Sequence, residues 1–143
     1  MRTKNDTDAG IRRILARFSR DLMRPRIECG PGWYPLLIEL DTDLARIDND
    51  YIIVQIKEKF AELKCYFRTD KGRDVWNKMA DRVKEAYELS ARTCELCGQP
   101  GERQVSSVLL KTLCPQCVES ENATGLENYV PAPPGWKPSW AQE

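Results

Sequence analysis

Two C-x-x-C pairs constrain this chain more than any other feature. Cys94 and Cys97 form the first, Cys114 and Cys117 the second, and sixteen residues lie between them. Each C-x-x-C bends into a tight knuckle that turns two thiolates toward one point, and two pairs at this spacing make a four-cysteine zinc site. Gly98 follows the first pair and suits the left-handed backbone such a knuckle often needs. Pro115, inside the second pair, helps fix its turn. Between the pairs, Gln104 to Leu113 is rich in Val, Leu, Ser and Thr, which predicts a short β-hairpin. The stretch 92–118 therefore reads as a zinc ribbon. Two disulfides or a redox C-x-x-C would use the same residues. Ribbon spacing and a polar start, M-R-T-K-N-D, with no apolar signal core, favour zinc in a reducing cytoplasm. Four thiolates complete a tetrahedral zinc, so one structural ion is expected, with no position left for a catalytic water.

The 143 residues suffice for one domain, or for a small domain with a metal appendage. No apolar run is long enough to span a membrane. Histidine is absent, which removes Ser-His and Cys-His nucleophile pairs and histidine acid–base chemistry. Lys plus Arg and Asp plus Glu number 22 each, but unevenly along the chain: residues 1–26 carry +5, residues 27–91 −3 and residues 92–143 −2. An acidic ribbon argues against that module tracking phosphates.

The rest of the chain reads as an α+β body over 1–91. Ile11, Leu15, Phe18 and Leu22 recur at helical spacing and predict a helix over 9–24, capped by Thr7 or Asp8 and ended by Pro25. Arg13, Arg17, Arg20 and Arg24 share a line opposite that apolar stripe. The line is either a solvated face or a contact for an anionic partner. Cys29 to Gly32 is a turn where Cys29 can be exposed. A second helix, 33–47, buries Trp33, Leu36, Leu37, Leu40, Leu44 and Ile47. Its acids, Glu39, Asp41 and Asp43, lack the spacing of a calcium loop and read as a solvated face. Residues 51–68 fit a helix or two strands; the run I-I-V-Q-I selects a hairpin, Tyr51–Lys57 with Leu63–Arg68, turning around Glu58 to Glu62. Cys65 alternates with Leu63 and Phe67 as a core residue would. A third helix, 74–91, leads into the ribbon. The tail, 119–143, is rich in proline and tryptophan and predicts extended backbone, with Trp136 and Trp140 either docked on the domain or presented to a partner.

The segments G-W-Y-P-L-L (32–37), V-Q-I-K-E-K-F (54–60) and L-K-C-Y-F (63–67), followed by the C-x-x-C pairs, resemble a family of small proteins encoded by bacteriophages and prophages. Members read G-W-x-x-L, then Q-[IV]-K-E-K-F-G-x-L-R-F-Y, then a C-terminal zinc ribbon. The likeness covers 28–118 and keeps the motif order. The chain departs at Ala61, where the family has glycine, and at Lys64-Cys65, where it has Arg-Phe. The resemblance implies a phage setting and a fold, and no reaction.

Three functions compete on this sequence. The first is a non-enzymatic interaction module that binds and inhibits or redirects a host protein complex, such as a defence system. Its contacts would be Arg13, Arg17, Arg20, Arg24, Trp136 and Trp140, residue types that dominate binding hot spots. The second is a nucleic-acid-binding regulator using the basic N-terminal helix, against which the zero net charge weighs. The third is a metal-dependent nuclease of PD-(D/E)xK type on Asp50, Glu62 and Lys64, a short match that any charged hairpin can produce and that lacks the proline before the aspartate. Nothing points to a small-molecule substrate.

Overall fold

The computed structural model describes residues 2–21 and 24–137, so Leu22 and Trp140 lie outside the described residues. The chain is α+β. Helix α1, Lys4–Ala16, opens on a capping box in which Thr3 Oγ1 accepts the Asp6 N–H and Asp6 accepts the Thr3 N–H. The helix thus begins earlier than the apolar stripe suggests, and it stops at Ala16 instead of Pro25. What stops it is strand pairing. Ser19 N–H donates to Ile53 and Ile53 N–H donates to Arg17, drawing Phe18 alongside a neighbouring strand and out of helical geometry.

A two-residue strand β1 (Ile27–Glu28) follows, then a 3-10 turn over Pro31–Trp33 that runs into α2, Tyr34–Ile47. The predicted second helix is present, with Pro35 in its first turn and Leu37, Leu40 and Leu44 buried. Strands β2 (Ile52–Lys59) and β3 (Glu62–Arg68) form the predicted hairpin, and α3 (Arg73–Ser90) is the predicted third helix. The sheet order is β1-β2-β3, with β1 parallel and β3 antiparallel to β2. The hairpin turn is only Phe60–Ala61, and both residues have positive φ, 54° and 66°. This is the backbone of a two-residue hairpin loop, taken up without the glycine that usually supplies it.

The main core lies between the inner face of this sheet and the three helices, around Ile14, Trp33, Leu44, Ile53, Leu63 and Met79. Helix α3 also closes the free edge of β3. Ser90 Oγ accepts the Leu63 N–H, and the Tyr87 hydroxyl accepts the Cys65 N–H and donates to its carbonyl. Cys65 is in the core as its alternation suggests.

The C-terminal lobe holds strands β4 (Glu102–Val105) and β5 (Leu110–Leu113), helix α4 (Pro115–Ala123) and strand β6 (Val130–Pro131), with sheet order β5-β4-β6. The expected hairpin between the cysteine pairs is present. Helix α4 was not anticipated. The described part of the tail folds back as β6 on β4.

Candidate metal centre

The first cysteine pair lies on a knuckle. Cys94 N–H donates to the Gln99 carbonyl and Gly98 N–H to the Cys94 carbonyl, with Gly98 at φ 85° in the left-handed region expected of it. The second pair is not on a knuckle, which corrects the two-knuckle ribbon. Cys114 is the N-cap of α4, Pro115 is in its first turn, and the Cys117 N–H donates to Cys114 Sγ at 3.4 Å. The proline fixes φ for a helix start and not for a bend. A thiolate at this helix end takes the place that Ser or Asp usually fills. That N–H is the main reason the Cys114 thiol is lowered to about 7.

The four Sγ atoms lie within 4.8 Å of one another, and Cys97 Sγ is 3.5 Å from Cys114 Sγ. Sulfurs around a tetrahedral ion with bonds of about 2.3 Å stand about 3.8 Å apart. A disulfide needs about 2 Å. All six cysteines are free thiols. The donor set therefore fits a metal ion. Leu113, Tyr129 and Val118 pack around it, and Asn122 on α4 holds the Tyr129 backbone through its amide at 2.7 and 3.1 Å.

The knuckle is fastened to the body by the G-P-G-W segment. Gly32 N–H donates to the Glu95 carbonyl at 2.7 Å, Gly30 N–H to the Glu95 carboxylate at 2.9 Å, and the buried Trp33 indole to the Thr93 carbonyl at 2.8 Å. A β-carbon on Gly30 would stand 2.5 Å from the Glu95 carbonyl oxygen, and one on Gly32 would overlap the Cys94 carbonyl. Glu95, between Cys94 and Cys97 in the chain, is buried, which pushes its carboxyl pKa up; Lys111, 3.6 Å away, opposes this and also pairs with Glu58 at 2.9 Å. Thr112 Oγ1 completes the join by donating to the Ala61 carbonyl at 2.7 Å. Their pairing was not legible in the sequence, because the partners lie far apart along the chain. Cys29, which its turn allowed to be exposed, is half-buried at this join, and burial raises its thiol to about 12.

No family model, curated protein or solved structure matches this chain. The arginine line does not form. Arg13 is exposed on α1, but Arg17 turns inward, its Nε 2.5 Å from the buried Asp41 carboxylate and its guanidinium 4.6 Å from the centre of the Tyr51 ring. Tyr51 donates to the same carboxylate at 2.5 Å. Asp41 is thus core and not a solvated acid. Arg20 and Arg24 are exposed but beyond the end of α1. Trp136 is half-buried beside Phe60, Val108 and Leu109, and its carbonyl accepts from Arg103 at 3.1 Å. Trp140 lies outside the described residues. Asp50 precedes β2 while Glu62 pairs with Lys59 at its far end. Eight residues at about 3.3 Å each hold the two carboxylates more than about 20 Å apart, so the nuclease constellation is not assembled.

Proposed function

We propose that this protein is a non-enzymatic binding module whose C-terminal lobe is folded by one structural zinc ion on Cys94, Cys97, Cys114 and Cys117. The convergence of four sulfurs from a knuckle and a helix start carries this reading. A tetrahedral all-thiolate site selects zinc among common cytoplasmic ions and has no open position for substrate or water. Zinc here supplies folding free energy, and the chain's own residues seat the ligands: Gly98 turns the knuckle, the Cys117 N–H holds Cys114, and Trp33 anchors the strand of chain entering Cys94.

The setting in this proposal is the cytoplasm of a bacterial host, and the partner is a host protein complex that a phage protein would inhibit or redirect. What supports it is the resemblance of residues 28–118 to the phage-type sequence pattern. The test has two parts. Elemental analysis of the purified chain should give one zinc per protein, and Cys94→Ser should lose it and melt earlier; full zinc with an unchanged melt would end the structural-zinc reading. Affinity capture from nuclease-treated host lysate should retain a defined protein complex, and recovery of none would end the partner reading.

A further inference from the structure

The three helices pack on one face of the β1-β2-β3 sheet, and the opposite face is open. Ile52, Val54 and Tyr66 on it are 38, 36 and 44% exposed. The register places Ile52 opposite Arg68, Gln55 opposite Tyr66 and Lys57 opposite Lys64, and residues directly opposite in a sheet share a face. Two lysines in one cross-strand pair repel each other and cost stability. Glu62 offsets the charge of Lys64, but among the described residues no acid offsets that of Lys57. Glu28 lies beside Lys57 but pairs with Arg26 at 3.1 Å, and Glu62 at the rim is 3.8 Å from Lys64 alone. Lys57 makes no ion pair among the described residues. Lys64 is held by the Tyr87 ring, 4.6 Å from its centre, and Arg68 by a 2.9 Å bond to Ser19 Oγ. Arg24 and Arg26 extend the basic margin beside Val54 and Gln55.

A sheet face with an exposed aromatic ring between two held cations, and an amide opposite it, matches the needs of an unpaired nucleotide strand: bases stack, phosphates meet Lys and Arg, and the amide reads a base edge. We propose that this face binds single-stranded nucleic acid, with Tyr66 stacking on a base and Lys57, Lys64 and Arg68 on the flanking phosphates. This goes beyond the zinc-folded, host-protein-binding reading and can fail while that reading stands.

The test is fluorescence anisotropy of the full chain with a labelled oligothymidine of about 16 nucleotides. Tyr66→Ala should weaken binding by about 5- to 100-fold. Lys57→Ala should weaken it and lower the slope against salt concentration by about one. Lys78→Ala, on the exposed side of α3, should do neither. Matching melting curves would show that the variants are folded. No binding by the wild type at low salt, unchanged binding by Tyr66→Ala, or equal loss in Lys78→Ala would each overturn the proposal. So would polyglutamate binding that needs Lys57 and ignores Tyr66, which would assign the face to an acidic protein. Zinc content and capture of a host complex would be untouched by any of these failures.

Discussion

A β-carbon on Gly32 would enter the Cys94 carbonyl, and backbone on both sides leaves nothing to move aside. Gly32→Ala is therefore expected to cost about 3 kcal/mol, as overpacking at a rigid site does. Its effect should reach the metal, because the displaced carbonyl belongs to a ligand residue. Zinc affinity measured against a competing chelator should fall, and unchanged affinity would show that the knuckle does not rest on this glycine. Cys29 and Cys65 offer a second residue-scale test. Burial raises both thiols to about 12, from an ordinary value near 9. The folded state holds these protons more tightly than the unfolded chain, so the stability they contribute is full below about pH 9 and declines as pH rises toward 12. In a thiol-reagent titration at pH 8, the zinc-loaded protein should show neither group. Removing zinc should release the four ligand thiols first, with Cys29 following as the join opens and Cys65 last. Early reaction of Cys65 would contradict its place in the core.

At the scale of elements, the β2–β3 hairpin turns through two residues in the left-handed region, where an L-residue costs roughly 1–2 kcal/mol. Ala61 is also fully buried, its carbonyl taken by Thr112 and its N–H by Glu58. Glycine there would relieve the backbone but surrender a buried methyl group worth about 0.8 kcal/mol. Ala61→Gly should thus change stability by less than about 1 kcal/mol, while Ala61→Val, β-branched and without space, should cost more than about 2 kcal/mol. Denaturant unfolding of the two variants checks both. A large gain from Ala61→Gly would mean that the methyl contributes nothing to packing. The same hairpin shows how an element can be legible while its turn is not. The β-branched run predicts strands locally, whereas the tightness of Phe60–Ala61 depends on the join with β5.

Over the whole molecule, local sequence patterns were enough for the four-cysteine cluster, helices α2 and α3, the β2–β3 hairpin and the α+β class. All of these rest on short-range patterns: C-x-x-C spacing, helical recurrence of Leu and Val, and β-branched alternation. Long-range contacts set where those local patterns give way. Arg17 carries helical periodicity with Arg13, yet the buried Asp41–Tyr51 pair and strand pairing at Phe18 capture it and end α1 early. Pro115 reads as a turn residue, yet Cys114 caps α4 by accepting the Cys117 N–H and leaves Pro115 in the first helical turn. Gly32, Trp33, Glu95 and Lys111 form one join across 80 residues of chain, invisible to any window along the sequence. The physical reason is common to all three. Periodicity and propensity weigh fractions of a kcal/mol per residue, while burying a charge pair, closing a metal site or docking backbone on backbone weighs several at once.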